Sequence, residues 1–238
     1  MWNKLLNDKE CEFVTNTTCV FCGSSDLKQF DIKFVEKHWK PFPEAVNLRC
    51  QACMGQFNQK FPNTHLISRL YKEHYPAQNS GLTRFKIHFK VEEFYIPVLE
   101  VGPGDNGISN ICKNGYYAAE ISRTASKFPV LFEDFTIEMI DEAKTLGIEA
   151  IVSCDCIEHM VRPRMLFDNA YAILPPDGLL YIHFGELHDP KNPQKARQIP
   201  HINNPSWKSV EMMCERKFNI IDRGSGSPHQ SGWIFKRL

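Results

Sequence analysis

The chain has 238 residues, with 28 basic and 28 acidic side chains and a formal net charge of zero at pH 7. Hydrophobic residues make up 42% and charged residues 24%, a composition that indicates a globular protein and argues against a disordered, collagen-like or coiled-coil chain. A neutral chain also lacks the overall positive charge with which proteins hold a nucleic-acid backbone, so a nucleic-acid partner is not expected.

The sequence carries no pattern typical of export or membrane insertion. No run approaches about 18 uninterrupted apolar residues, and "MWNKLLNDKECEF" lacks the apolar core and cleavage site of a signal peptide. We therefore expect a cytoplasmic protein with no membrane partner. Its nine cysteines would then stay reduced, which favours metal binding or burial over disulfides.

Two Cys-x-x-Cys pairs stand in the N-terminal quarter, in the stretches "CVFCGSS" and "CQACMGQ". Each pair lies on a tight turn that we expect Gly23 or Gly55 to relax. Two such knuckles can place four thiolates around one ion and leave no open coordination position, which predicts structural zinc in a zinc ribbon. An iron–sulfur cluster and four free thiols are the alternatives. The predicted ligands are Cys19, Cys22, Cys50 and Cys53.

The chain divides at the break "PAQNSG". We predict a zinc-ribbon module with a connecting helix over 1–75, including a ribbon strand over 30–35, and a second domain over 76–238. From about residue 95, near-continuous apolar strands alternate with helical patterns, which predicts an α/β fold with a Rossmann-like doubly wound sheet. The predicted strands are "IPVLEV", "GYYAAEI", "IEAIVSC", "LLYIHF", "FNIIDRG" and "GWIFKRL".

A glycine-rich turn follows the first of these core strands, in "VLEVGPGDNG". In a doubly wound sheet the ligand binds at the carboxyl ends of the strands, and the first strand-to-helix turn usually contacts it. Gly102, Gly104 and Gly107 permit the backbone angles of such a turn and the close approach of a ligand. Glu100 ends a buried strand, so its carboxylate needs hydrogen-bond donors, either turn amides or a ligand's ammonium group.

Glu120 closes the next strand, 20 residues after Glu100 in the numbering. From this position a carboxylate can accept both hydroxyls of a ribose. The alternative is an ordinary exposed acid at a strand end.

The run "VLEVGPGDNG" resembles the first motif of class I S-adenosylmethionine-dependent methyltransferases, and "YYAAEIS" resembles their second. The stretch 148–184, with its Glu-His pair and Leu-x-Pro-x-Gly turn, resembles the passage from the fourth to the fifth strand of those enzymes. The resemblance covers about residues 95–238. With the cysteine pairs in front, the whole chain is similar to bacterial methyltransferases that carry an N-terminal zinc-binding module, several of which modify nucleotide-linked sugars.

This resemblance implies S-adenosylmethionine (SAM) as cofactor, with its carboxypropyl end beside the glycine turn and its ribose on Glu120. Its adenine is expected near Ile121 and a polar residue such as Asp134, for which a helix cap is the alternative role. Asp155 ends a core strand and is expected to face the crevice. The sequence departs from the family pattern at Asn106, where many members have glycine. The candidate cofactor-binding residues are Glu100, Gly102, Gly104, Asp105, Asn106, Gly107, Glu120, Ile121, Asp134 and Asp155.

Methyl transfer to a hydroxyl or an acidic carbon needs a general base, and histidine suits that role. His159, just after a core strand, is the first candidate, with a structural hydrogen bond as its alternative role. His201 is the second, because the irregular segment 185–205 is expected to cover the substrate. Glu158 is expected to orient a base or bind the cofactor's ammonium group, or else to be a helix N-terminal acid. His183 lies mid-strand and is expected in the core.

The leading hypothesis is a SAM-dependent methyltransferase that acts on a small-molecule acceptor such as a sugar or sugar nucleotide. One alternative is an RNA methyltransferase that holds RNA through basic ribbon residues such as Lys28 and Arg49. Another is a non-catalytic scaffold built from the ribbon and a Rossmann-like domain. Glu100, directly before the glycines, disfavours a nicotinamide-dependent dehydrogenase.

Overall fold

The structure of the chain is a computed structural model. The residues that it describes are 13–29, 46–62, 81–104, 107–121, 139–185, 202–223 and 230–238. Several sequence predictions lie outside these residues, namely the ribbon strand over 30–35, the boundary between 75 and 76, and the candidates Asp105, Asn106, Asp134 and His201. Within the described ranges, no helix has the length and apolar character needed to cross a membrane.

Short antiparallel strands make up the N-terminal region. These strands are β1 (Phe13–Thr15), β2 (Leu27–Gln29), β3 (Asn47–Cys50), β4 (Gln56–Asn58) and β5 (Lys60–Pro62). β1 pairs with β5, whereas β2, β3 and β4 pair in that order in a separate sheet. Each cysteine pair lies next to this second sheet, because Cys50 ends β3 and Cys22 precedes β2.

A six-stranded sheet forms the centre of the molecule. Its strands are β6 (Val98–Val101), β7 (Tyr116–Ala119), β8 (Ala150–Cys154), β9 (Leu179–Gly185), β11 (Phe218–Arg223) and β12 (Gln230–Arg237). The order across the sheet is β11-β12-β9-β8-β6-β7, and the four strands from β9 to β7 are parallel. β12 runs antiparallel to both β9 and β11. The predicted α/β sheet is confirmed, and the parallel strands all end at one edge.

Helices cover both faces of the sheet. They are α1 (Gly81–Phe89), α2 (Met139–Thr145), α3 (Arg164–Ile173) and α4 (Trp207–Cys214). Side chains alternate along β9, so Leu180 and Ile182 pack on the face covered by α2, α3 and α4, while Tyr181 packs against α1. α3 ends before Pro175, which cannot continue a helix. α4 begins at Trp207, directly after Ser206, whose side chain caps the helix.

The N-terminal strands join the central sheet through a shared core. Phe21 and Phe57 are fully buried, contact each other edge to face, and belong to the same apolar cluster as α3, α4 and the central strands. A two-residue strand, β10 (Asn203–Asn204), comes from the C-terminal part of the chain and pairs with β4. The cysteine-containing region therefore packs against the larger sheet instead of standing apart from it.

Candidate functional site

The glycine turn after β6 lies at the edge where the parallel strands end. Gly102 and Gly104 have left-handed backbones, with φ of +72° and +57°, a conformation that costs other residues about 1–2 kcal/mol. The Gly102 amide donates to the Ala119 carbonyl of β7 at 2.8 Å. On the other side, a Cβ on Gly102 would lie 2.9 Å from the Cys156 sulfur. The turn is thus wedged between the ends of β7 and β8, which explains the requirement for glycine.

Gly107 is required for space. A Cβ at this position would lie 2.5 Å from Oε2 of Glu100 and 2.7 Å from the Tyr116 hydroxyl. Its backbone is not left-handed. The last glycine of the turn therefore closes over a buried polar cluster.

Glu100 is the centre of that cluster. Its side chain is only 1% exposed, and its Oε2 accepts hydrogen bonds from the Ile108 amide and the Tyr116 hydroxyl, both at 2.8 Å. Of the two partners expected from the sequence, the described structure supplies the backbone amide. Burial raises the pKa of Glu100 from 4.5 to about 7, and the nearby Glu120 charge acts in the same direction.

Tyr116 was not singled out in the sequence. It is the first residue of β7 and pairs with Val98 of β6. Two residues further along the same strands, Ala118 pairs with Glu100. Because side chains alternate along a strand, Tyr116 and Glu100 share one face of adjacent strands. This pairing register, which puts the tyrosine and Glu100 on the same face, is the signal that could have identified Tyr116.

Glu120 links the second motif to the first. It follows β7, is mostly buried, and its Oε2 accepts a hydrogen bond from the Gly104 amide at 2.8 Å. Ile121 follows it and is half-buried. The structure thus brings Glu120 to the glycine turn, and its role with a ribose stays a prediction.

Asp155 lies at the end of β8 with a left-handed φ of +51°. Its amide donates to the His183 carbonyl at 2.8 Å, and its Oδ1 lies 3.0 Å from Nδ1 of His183. The His183 side chain is 1% exposed, as expected of a core residue, but it also contacts this carboxylate. Cys154, which precedes Asp155, pairs with His183 across β8 and β9. This register is the signal that could have linked Asp155 to His183.

Glu158 and His159 lie in a short 3-10 turn, Ile157–His159, at the same edge of the sheet. Glu158 is 3% exposed, whereas His159 is half-buried. The turn is closed by a hydrogen bond from the His159 amide to the Cys156 carbonyl at 2.9 Å. A proton-accepting role for His159 stays a prediction.

The four predicted metal ligands come together in one cluster. The sulfur atoms of Cys19, Cys22, Cys50 and Cys53 all lie within 4.8 Å of one another. Cys19 and Cys53 are 3.5 Å apart, and Cys22 and Cys50 are 3.6 Å apart. Four thiolates at about 2.3 Å from a tetrahedral zinc ion would lie about 3.8 Å from each other. The donor set and its spacing therefore fit zinc.

The pKa values of Cys19 and Cys53 also bear on metal binding. A hydrogen bond with the Cys53 thiol lowers the pKa of Cys19 to about 5. The same hydrogen bond, together with burial, raises the pKa of Cys53. The two pKa shifts have opposite directions because the two thiols share one hydrogen bond, and a bound cation would favour the thiolate form of both.

The second knuckle differs from the expectation in one detail. Gly23 is left-handed in the first knuckle, with φ of +78°, whereas Met54 takes this conformation in the second, with φ of +64°. Gly55 is needed for space instead, because a Cβ there would lie 2.5 Å from the Phe21 ring.

No protein-family model and no curated protein sequence matches the chain. Among solved structures, a SAM-dependent methyltransferase from Anabaena variabilis ATCC 29413 is 13% identical, with a TM-score of 0.51 over 72% of this chain and 92% of that one. One from Archaeoglobus fulgidus is 15% identical, with a TM-score of 0.50 over 65% and 92% of the two chains.

A third structure concerns the conversion of a disulfide bond into a thioacetal group during echinomycin biosynthesis. It is 12% identical, with a TM-score of 0.50 over 73% of this chain and 92% of that one. At such low identity these similarities concern the fold. The chain has the fold of SAM-dependent methyltransferases, as the resemblance of its motifs predicted.

Replacing Glu100 by Gln tests the burial of this carboxyl. The folded-state pKa of about 7 lies above the unfolded value of 4.5, so between them the folded chain holds a proton that the unfolded chain has lost. The contribution of Glu100 to the free energy of unfolding therefore falls as the pH rises through this window, by about 3 kcal/mol in total. Gln keeps an acceptor oxygen for both donors but cannot ionise.

We expect the free energy of unfolding of Glu100→Gln, relative to the natural chain, to increase by about 3 kcal/mol from about pH 4 to about pH 8. Urea unfolding of the two proteins across this range measures the difference, in which other titrating groups cancel. Parallel pH profiles would show that Glu100 is ionised normally in the folded chain.

Proposed function

We propose that the chain is a SAM-dependent methyltransferase that acts on a small-molecule acceptor. The observation that carries this proposal is the hydrogen bond from the Gly104 amide to Glu120. It joins a glycine turn, where a ligand can approach the backbone closely, to a carboxylate that can accept ribose hydroxyls. The fold supports the same reading, because it is the fold of SAM-dependent methyltransferases.

The charge at this edge of the sheet also fits SAM. Glu120, Asp155 and Glu158 all lie at or near the carboxyl ends of β7 and β8. SAM carries a positive sulfonium and a positive ammonium group, so a site lined with carboxylates favours its binding. A nicotinamide dinucleotide, with its negative pyrophosphate, is disfavoured by the same charges.

In this proposal the residues of the chain bind and align the cofactor, and they exclude water from the site. Glu120 and Ile121 hold the nucleoside end of the cofactor, and the glycine turn accommodates its carboxypropyl end. SAM supplies a methyl group on a sulfonium, which is a good leaving group, so catalysis rests mainly on alignment and a dry site.

Proton removal from the acceptor falls to the turn after β8. His159 is the proposed general base, because a histidine near neutral pH can take a hydroxyl proton, and Glu158 orients it. Asp155 contributes to the cofactor side of the crevice. The remaining sequence candidates lie outside the described residues, and we propose for them the roles expected from the sequence. They are Asp105, Asn106, Asp134 and His201.

The proposed acceptor is a small molecule such as a sugar or sugar nucleotide. The zero net charge of the chain supports a small molecule over RNA, whose phosphates require basic residues. Support for a sugar comes from the resemblance to bacterial methyltransferases with an N-terminal zinc module.

We also propose that the cysteine cluster binds one structural zinc ion. Four sulfur ligands complete a tetrahedral shell, so no position stays open for water or substrate. The location of the cluster within the shared core favours a structural role as well.

Replacing Gly104 by Val tests the cofactor site. A side chain on this left-handed residue disturbs the turn and its bond to Glu120, so we expect the affinity for SAM or S-adenosylhomocysteine, measured by calorimetry, to fall at least about tenfold. Gly147→Val is the matched control: Gly147 is also left-handed, with φ of +63°, but a Cβ there meets nothing within 4 Å. Unchanged affinity in Gly104→Val, or equal loss in both variants, would contradict the placement.

The acceptor can be identified by incubating the chain with SAM and a metabolite extract. We expect one small metabolite, of the sugar or sugar-nucleotide class, to gain a methyl group in mass spectrometry. A parallel incubation with Gly104→Val should give no product. Methylation confined to RNA in a total-nucleic-acid incubation would reject the small-molecule proposal, and failure to bind SAM in calorimetry would favour the non-catalytic scaffold.

Replacing Cys19 by Ser tests the metal site. We expect the natural chain to contain one zinc per chain by elemental analysis and the variant to lose it, with a clear drop in melting temperature because metal binding contributes to folding. Cys214→Ser is the control, since Cys214 is also buried in the shared core but is no part of the cluster. Iron in place of zinc, or full metal content in Cys19→Ser, would contradict the proposal.

A further inference from the structure

The second cysteine knuckle is hydrogen-bonded to the C-terminal part of the chain. β4 follows the knuckle directly and pairs with β10, with Asn203 opposite Phe57 and Asn204 opposite Gln56. The Asn58 amide extends the pairing by donating to the Ile202 carbonyl at 3.1 Å. β10 is therefore positioned by β4, the strand that directly follows the knuckle.

A side chain makes a second connection from the knuckle itself. The Ser206 hydroxyl donates to the backbone carbonyl of Cys53, one of the four clustered cysteines. The same hydroxyl accepts the Ser209 amide at 3.0 Å and so caps α4. Ser206 thus ties the start of α4 to a ligand residue.

Asn203 carries the connection on to the candidate active site. Its side-chain amide donates to the carbonyl of Met160, which directly follows His159. Asn203 is 3% exposed, and a buried amide that loses its acceptor is costly. This hydrogen bond therefore fixes the turn that holds Glu158 and His159 relative to β10.

A metal held by the four cysteines would also hold the knuckle in place. Two short backbone bonds close it, from Cys50 to Gly55 and from Met54 to Cys50, both at 2.9 Å. The four sulfur atoms all lie within 4.8 Å of one another, so one ion can join them, and binding of such an ion supplies part of the folding energy of the site. We therefore expect loss of the metal to loosen the Cys53 carbonyl and β4, and with them Asn203.

We propose that the second cysteine knuckle, when zinc is bound, is a positioning element for the turn Ile157–Met160. It acts through β4, β10 and the side chain of Asn203. Metal occupancy and the geometry of the turn that carries Glu158 and His159 are then coupled. Asn203 is a positioning residue, since it reaches the turn and not a reacting group. This inference concerns the chain's own conformation, so its test needs neither SAM nor an acceptor and can fail separately from the proposed function.

Hydrogen exchange with mass spectrometry on the full chain tests the coupling. The amides of His159 and Met160 bond to the carbonyls of Cys156 and Ile157 and report the order of the turn. After zinc is removed with a high-affinity chelator, we expect these amides to exchange at least about tenfold faster, which corresponds to about 1.4 kcal/mol. Amides of β8 and β9 should keep their protection.

Asn203→Ala separates positioning from general loss of structure. We expect the variant to keep one zinc per chain and yet to show the same acceleration in the turn. Asn204→Ala is the matched control, because Asn204 is equally buried on the same strand but its side-chain nitrogen bonds to no acceptor within the described ranges. Its turn should exchange at the natural rate.

Three outcomes would overturn the inference. One is unchanged exchange of the turn in zinc-free protein whose β8 and β9 stay protected. Another is unchanged exchange in zinc-loaded Asn203→Ala, which decides the question even if the zinc-free chain unfolds entirely. The third is equal acceleration in Asn203→Ala and Asn204→Ala, which would reflect loss of packing rather than of the hydrogen bond to Met160.

Discussion

The candidate cofactor site depends on the two hydrogen bonds that the Glu100 carboxyl group accepts. This group receives the Ile108 amide and the Tyr116 hydroxyl, and so joins the end of the glycine turn to β7. Gly107 can close over this cluster only because it has no side chain. Once the turn is fixed at this end, the Gly104 amide is held where it bonds Glu120. A buried acid, at an energetic cost reflected in its raised pKa, thus organises the turn before any ligand binds.

The other side of the crevice is fixed by a second unusual backbone. Asp155 holds a left-handed conformation that costs a residue with a side chain about 1–2 kcal/mol. Its amide and its carboxylate both meet His183, which offsets this strain and sets the direction of the chain after β8. Since Cys156 also packs against Gly102, the two left-handed turns contact each other at the centre of the edge. Asp155 thus places backbone strain at the proposed crevice, where pre-organisation serves binding.

The sequence predicted what local patterns encode, and the remainder depends on pairing between distant segments. Near-continuous apolar runs gave all six central strands, and spacing gave the glycine turn, Glu120 and the four cysteines. Tyr116 and the contact of His183 with Asp155 depend on which strands are neighbours, and that order is not written in any one stretch. Met54 takes the left-handed conformation while Gly55 lies against the Phe21 ring, and no local preference for glycine reveals either feature.

β10 connects the cysteine-containing module to the candidate site as well as to the fold. Its two residues carry no strand pattern of their own, and they pair with β4 because the shared core already holds β4 beside α4. Phe21 and Phe57 are fully buried in that core, so moving the module would expose both rings to water, at about 1.5–3 kcal/mol each. Packing therefore holds the module as a whole against the larger sheet, while the hydrogen bonds of Ser206 and Asn203 connect the second knuckle and β10 to α4 and to the turn beside the proposed crevice.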